Sequence, residues 1–287
     1  MMNAWLAAVA WAADPCPPGQ APCADGGCCA VEARPPLVPL VLVPAGTFTM
    51  GTRDGEAGRE RDELPHSVRL THSLRVMKTE VTQGLYESVM GVNPAATGER
   101  FYDGEGHGSC AAQDGVSLVN PAFPAVCVSW WDAVAFANAL SAAEGLAACY
   151  VVRDGKVYWP EGVACAGYRL PTESEWEYVA RSGRTTAFGT VGSSEAAVCA
   201  AGNGADADAR ARWPSWPGLS CSDGHAGLAP VGSYLPNGFG VHDTLGNVWE
   251  WTWDLYGPYP TGEGADVDPI GPGAGDLRVH RGGAWGN

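Results

Sequence analysis

Asp243, Asn247 and Glu250 fall close together around Gly246. A backbone turn at that glycine gathers their side-chain oxygens, and hard oxygen donors in such an arrangement suit calcium. Directly after the turn, Trp249, Trp251 and Trp253 alternate with Glu250 and Thr252. That period of two places all three indoles on one face of a strand. The same residues also describe a Trp-rich core strand that follows an ordinary Asp/Asn/Gly turn, so the local pattern leaves both roles open.

Elsewhere the chemistry-bearing residues are sparse. His66, His72, His107, His225, His242 and His280 show no HxxxH or HxH spacing, so no helix or strand presents a paired imidazole site. A GxSxG nucleophile turn and a phosphate-binding loop are both absent from the sequence. Glu173, Glu175 and Glu177 are expected to form a solvated helix face plus a cap rather than an acid/base pair. Arg169 and Arg281 lie near aromatics and suit a peptide or carboxylate ligand, or structural ion pairs.

The elements that must hold these residues follow from composition and periodicity. A chain of 287 residues, 46% hydrophobic and with 12 Trp, can bury a sizeable core in one large or two ordinary domains. Its 39 Gly, 22 Pro and 17% charged residues point to long ordered loops between short elements. A net charge of -15, with 17 Lys and Arg scattered along the chain, argues against nucleic acid as a partner. No run approaches the length of a membrane span.

Three helices are expected. In EVTQGLYESVMG, Thr82 caps a helix whose Leu85, Tyr86 and Val89 share a face and which Gly91 ends. In VSWWDAVAFANALSAAEG, Ser129 and Asp132 resemble a capping box, Val134, Phe136, Ala137 and Leu140 form the buried stripe, and Gly145 closes the segment. In RLPTESEWEYVARSG, Pro171, Thr172 and Glu175 mark the start, Trp176 and Val179 face inward, and Gly183 stops the helix. Strands are expected at Leu40–Val43, Val68–Leu70, Val126–Val128, Val248–Trp253 and Arg278–His280.

Ten cysteines bear on compartment. Cys16, Cys23, Cys28 and Cys29 crowd a Pro/Gly-rich head, whereas Cys110, Cys127, Cys149, Cys165, Cys199 and Cys221 are spread along the body, unlike paired zinc ligands. Disulfides suit this spacing better than six reduced, buried thiols. Sequential pairing, Cys110 to Cys127, Cys149 to Cys165 and Cys199 to Cys221, closes three loops between the expected elements. Such bridges form in oxidising compartments. Residues 1–13, MMNAWLAAVAWAA, read as a signal peptide with small residues at Ala10 and Ala12, though without the usual basic start. The expected location is therefore periplasmic or secreted, with residues 14–38 as a Cys/Pro/Gly-rich linker and 39–287 as the domain.

Taken in order, the segments FTMGT (Phe48 to Thr52), ELPHSVRL (Glu63 to Leu70), EVTQGLYESVMGVNP, PAVCVSWWDAVAFANALS, GYRLPTESEWEYVARSG, APVGSYLPNGFGVHDTLGNVWEWTWDLYG and RVHRGGAW resemble the formylglycine-generating enzyme family, also called the sulfatase-modifying factor domain. The resemblance implies an α+β, decorated C-type-lectin-like fold that is poor in regular structure and carries disulfides.

It also implies metal sites. One calcium would be held by Asp243 and Glu250 with the carbonyls of Gly246 and Val248, and a second by Asn203, Gly204, Asp223 and His225. Members that make formylglycine oxidise a sulfatase cysteine with molecular oxygen at a copper ion held by two cysteine thiolates, a soft donor set suited to Cu(I). Here the first thiolate position, after Gly282, Gly283, Ala284, Trp285 and Gly286, is Asn287, and the second falls beyond Asn287. Copper and a catalytic residue are accordingly not expected, and calcium is expected as a structural ion. The implied function is an exported binding or accessory module for a protein or peptide ligand. The alternatives are an oxidoreductase making formylglycine, if the C-terminus is misassigned, and a lectin-like ligand binder using calcium and the Trp cluster.

Overall fold

Each of the three longer helices begins where a hydroxyl side chain takes up a free backbone amide. Thr82 accepts from the Leu85 amide at the start of α1 (Gln83–Met90), Ser129 caps α2 (Trp130–Ala143), and Thr172 caps α3 (Glu173–Arg181). In α2 and α3 the carboxylates of Asp132 and Glu175 accept from the cap residue's own amide, completing capping boxes. Gly91, at φ 76°, ends α1 in the left-handed conformation. These helices agree with the sequence pattern. Two shorter ones, α4 (Glu195–Ala201) and α5 (Ala207–Arg212), capped by Ser194 and Asp206, are too short to show a period in sequence.

The computed structural model describes residues 36–53, 59, 62–97, 100–102, 107–189, 194–260 and 264–286, with the strand backbone of Asn3–Ala4, Ala8–Val9, Gln20–Pro22 and Cys28–Ala30. The main strands are β1 (Leu40–Val43), β2 (Gly46–Met50), β3 (His66–Leu70), β4 (Leu74–Met77), β5 (Trp249–Leu255), β6 (Ala265–Val267) and β7 (Arg278–Arg281). β1 pairs antiparallel with β4, and β3 lies between antiparallel β2 and parallel β6. β5 pairs antiparallel with β7, with an irregularity between Trp251 and Leu255. Asn3–Ala4 runs parallel to β5, and Ala8–Val9 runs antiparallel to β4. The side chains of residues 1–35, including Cys16, Cys23, Cys28 and Cys29, lie outside the described residues, as does the expected signal peptide's role.

Val126–Val128 is not a strand, contrary to expectation. Cys127 adopts φ 60°, which breaks an extended ladder, and it is tied to Cys110 instead. All three body disulfides follow the sequential pairing: Cys110–Cys127, Cys149–Cys165 and Cys199–Cys221. Cys149 and Cys165 sit in the largest core cluster with Phe136, Leu140, Tyr150 and Tyr168. A second cluster packs Val43, Val68, Leu70 and Val76 against Tyr178 and Val179 of α3.

The glutamates of α3 are also not a solvated face. Glu175 and Glu177 are 1% and 3% exposed. Burial is tolerated because each is ion-paired. The Arg169 guanidinium donates two 2.7 Å bonds to Glu175, and Glu177 accepts from Arg181 and Arg281, both at 2.7 Å. Burial alone would raise the Glu175 pKa, but Arg169 overrides it and holds the carboxyl down at about 2.

Candidate metal centre and ligand cleft

The strand that carries the tryptophans buries its polar face instead of its indoles. Along β5, Glu250, Thr252 and Asp254 are buried while Trp249, Trp251 and Trp253 are half-buried. Hydrogen-bond partners waiting on neighbouring elements explain the inversion. Trp176 of α3 donates its indole N–H to Glu250, the Glu173 amide donates to Asp254 at 2.7 Å, and Thr252 donates to the Val279 carbonyl at 3.1 Å. The indoles pack on the other side: Trp251 donates to the Val128 carbonyl at 2.9 Å, and Trp253 stacks on Tyr150 at 5.2 Å.

The turn before β5 is built by backbone conformation. Asp243, Gly246 and Asn247 all have positive φ, at 60°, 72° and 61°. A Cβ on Gly246 would lie 1.9 Å from the Asn203 carbonyl oxygen, so only glycine fits there. The Gly246 carbonyl accepts from the Val248 amide at 2.8 Å. Asn247 is a crosslink: it donates to Glu80 at 2.7 Å and accepts from Asn203 at 2.9 Å and from the Ala229 amide at 3.0 Å.

Three carboxylates are buried around this turn, namely Asp243, Glu250 and Glu80. Asp243 accepts from the Gly232 amide at 2.6 Å through Oδ2, but among the described residues its Oδ1 has no donor. Glu250 Oε1 and Glu80 Oε1 are likewise buried and without a donor among the described residues. Among the described residues no Arg or Lys pairs with any of the three. Burial, then mutual repulsion, drives Glu80 well above the usual carboxylate range, and burial does the same for Glu250. Burial also lifts Asp243 to about 6 against the opposing Gly232 amide. Unpartnered buried anionic oxygens are costly without a cation, so Asp243 and Glu250 fit the calcium role implied by the resemblance.

Glu80 has no signal in the turn's sequence, because it comes from the residues just before the α1 cap and meets Asn247 only through the fold.

Of the second expected set, Gly204, Asp223 and His225 meet through backbone amides. The Gly204 amide donates to Asp223 at 3.0 Å and the His225 amide donates to its other oxygen at 2.9 Å. Asn203 turns the other way, donating to the Gly227 carbonyl at 2.8 Å and to Asn247, with its Oδ1 buried and without a donor. Burial raises the Asp223 pKa, with Asp206 adding to the effect. Asp206, Asp208 and Asp223 bring carboxylate oxygens within 4.8 Å of one another. Asp206 is legible in sequence as the cap of α5, but its approach to Asp223 is not. Both Asp206 oxygens are engaged by backbone amides.

Two cavities flank this region. A polar cleft of about 530 Å³ is lined by residues including Glu173, Trp249, Tyr259, His280 and Arg281. Arg281 is held by Glu173 at 3.0 Å and Glu177 at 2.7 Å, so it serves structural ion pairing. Among the described residues Trp249 Nε1 and His280 Nδ1 are buried and without a partner, and the two rings meet edge to face at 4.6 Å. A second, largely apolar cavity of about 460 Å³ is lined by Phe188, Val198, Cys199, Leu219, Leu245 and neighbouring glycines.

A two-thiolate copper centre does not fit the described residues. All six body cysteines are bonded in pairs, and Asn287 lies outside the described residues.

A loop-rich α+β chain with three disulfides, a polar-faced strand and a carboxylate cluster at its entry turn defines a narrow structural class. The sequence matches the sulfatase-modifying factor enzyme 1-like domain over residues 30–287. It is 34% identical over 264 residues to the formylglycine-generating enzyme of Streptomyces coelicolor, covering 85% of this chain and 78% of that one. It is 30% identical over 263 residues to the inactive C-alpha-formylglycine-generating enzyme 2 of Mus musculus, covering 86% of this chain and 74% of that one. In structure it is similar to Treponema denticola variable protein 1, with a TM-score of 0.62 and 27% identity over 86% of this chain and 83% of that one. The chain belongs to the formylglycine-generating enzyme, or sulfatase-modifying factor, family.

Proposed function

We propose that this protein is an exported, calcium-stabilised binding or accessory member of the family that does not oxidise a sulfatase cysteine. The observation that carries the calcium assignment is the pair of buried oxygens without donors, Asp243 Oδ1 and Glu250 Oε1, at the turn into β5. Asp243, Glu250 and the carbonyls of Gly246 and Val248 would hold one ion, and Asn203, Gly204, Asp223 and His225 a second. Bound calcium supplies positive charge that neutralises these carboxylates and fixes the turn. The non-oxidase assignment is supported by Asn287 at the first thiolate position and by the pairing of all six body cysteines. The mouse relative named as inactive is compatible with it. Export is supported by the disulfides, which form in oxidising compartments.

Ligand binding falls to the polar cleft. Glu173 and Glu177 hold Arg281 rigid at its wall, beside the Trp249 and His280 rings that line it. A protein or peptide segment with polar groups suits that lining.

The test is thermal melting of the full chain in chelator, calcium or copper, paired with incubation of a cysteine-containing sulfatase peptide with copper and oxygen. A rise in Tm with calcium alone, and an unchanged peptide mass, is the expected result. Conversion of the peptide cysteine to formylglycine would overturn the non-oxidase assignment, and no calcium response would overturn the ion.

A further inference from the structure

A strap of residues 264–273 lies in the chain between two stretches that line the polar cleft, with Tyr256, Gly257 and Tyr259 before it and Leu277 to Gly282 after it. Its first residues form β6, which pairs parallel with β3 from Ala265 opposite Ser67 to Val267 opposite Arg69. Apolar burial holds it weakly, since Val267 and Ile270 are 47% and 48% exposed. Polar contacts gather instead at Asp268, just past β6. Its backbone amide donates to the Arg69 carbonyl at 3.0 Å, and its carboxylate accepts from the Thr71 amide at 2.8 Å and from the Thr71 hydroxyl. Asp268 sits at φ 45°, a left-handed conformation that such contacts must hold in a residue other than glycine. Beyond it, Gly271 packs so close to Asp254 that an added Cβ would lie 2.8 Å from the Asp254 Cβ, and Pro272 meets Gly257 of the cleft wall.

His72 lies between this strap and α3. Its Nε2 is 3.2 Å from Glu175 Oε1 and its Nδ1 is 3.3 Å from Asp268 Oδ1, with the side chain 13% exposed. Both ring nitrogens therefore face a carboxylate. Only the imidazolium carries an N–H on each nitrogen, whereas a neutral ring has one N–H and one lone pair. The surrounding charges agree: Glu175 and Asp268 are two anions, Arg169 supplies one cation through Glu175, and the imidazolium supplies the second. Burial holds Asp254, which faces Glu173 and Glu175 from β5, well above the usual carboxylate range, so it adds little negative charge to this balance.

We propose that His72 is a proton-operated latch that fastens the strap to β3 and α3, and with it the cleft wall at Gly257. Protonated, the ring bridges Glu175 and Asp268. When the ring loses a proton, the remaining N–H stays on Nε2, because that contact has hydrogen-bond geometry and because, against burial, Arg169 holds the Glu175 carboxyl ionised, down at about 2. Nδ1 then turns a lone pair toward Asp268. The fastening is complete at low pH and is lost as pH rises and the imidazole deprotonates.

Hydrogen–deuterium exchange of the full chain at about pH 5.5 and about pH 8, corrected for intrinsic amide exchange, reads the latch. Amides of the strap should lose protection by roughly tenfold at the higher pH, the effect of one charge-assisted bond, while those of α2 keep theirs. His72→Gln keeps a donor but cannot titrate, so its strap should exchange at the loosened rate at both pH values. Should that variant fail to fold, the nitrogen-15 spectrum of the wild-type His72 ring decides: two N–H groups at about pH 5.5 and one, on Nε2, at about pH 8 are expected. Strap protection independent of pH, a pH effect that persists in His72→Gln, a loss shared equally by α2, or a ring that is neutral at both pH values would each overturn the latch and leave His72 as a fixed structural contact.

Discussion

Replacing Glu80 by Gln separates a calcium centre from an ordinary buried polar cluster, because the two predict effects of opposite sign in the absence and presence of the ion. Gln keeps an acceptor for the 2.7 Å bond from Asn247 but removes a negative charge that repels Asp243 and Glu250. Among the described residues, Glu80, Asp243 and Glu250 are not a set whose oxygens all converge within 4.8 Å, so Glu80 acts on the ion through its charge and through Asn247 rather than as a third direct ligand. Loss of such an outer group lowers metal affinity by roughly 10–100-fold. At a fixed saturating calcium concentration this removes about 1.4–2.7 kcal/mol of binding stabilisation, or roughly 3–10 °C of Tm for a domain of this size. In chelator at pH 8 the variant should instead melt at or above the wild-type temperature, since a repelling buried carboxylate is gone. Calorimetry of both proteins with and without calcium reads the difference directly. Equal Tm changes in the two conditions, or a loss confined to chelator, would refute the reasoning.

Three further outcomes are expected. In chelator, Asp243 titrates at about 6 in the folded chain against an ordinary 3.8. Its contribution to stability is therefore present below pH 4 and is lost as pH rises through 6, about 3 kcal/mol in all, whereas calcium should flatten or reverse that slope in urea melts scanned across this range. Glu175→Gln breaks the buried pair with Arg169 and should cost about 3 kcal/mol at pH 7. Because the Glu175 carboxyl sits at about 2, below its ordinary 4.5, that cost should vanish as pH falls through 2. Gly246→Ala combines a left-handed φ with a Cβ driven against the Asn203 carbonyl, so denaturant melts should show a loss above about 2 kcal/mol together with a weakened calcium response.

Local chemistry made much of this chain legible. Thr82, Ser129 and Thr172 cap helices where hydroxyl, spacing and apolar stripe coincide, because a capping bond and a helical face are satisfied within a few residues. Sequential disulfide pairing was legible because short intervening loops keep partner cysteines near each other. Motif order marked the family. Only the tertiary structure decided which faces are buried and which charges meet. An alternation of Trp with Glu, Thr and Asp suggests apolar-in, yet the polar face of β5 is interior because α3 supplies donors to it and β7 an acceptor. The glutamates of α3 read as solvated until Arg169, Arg181 and Arg281 arrive to pair with them. Glu80 reaches the turn, 167 residues before the Asn247 it bonds, and local sequence carries no information about such an encounter. Side-chain type fixes what a group can bind, whereas burial and partner, which set its charge state and energy, belong to the fold.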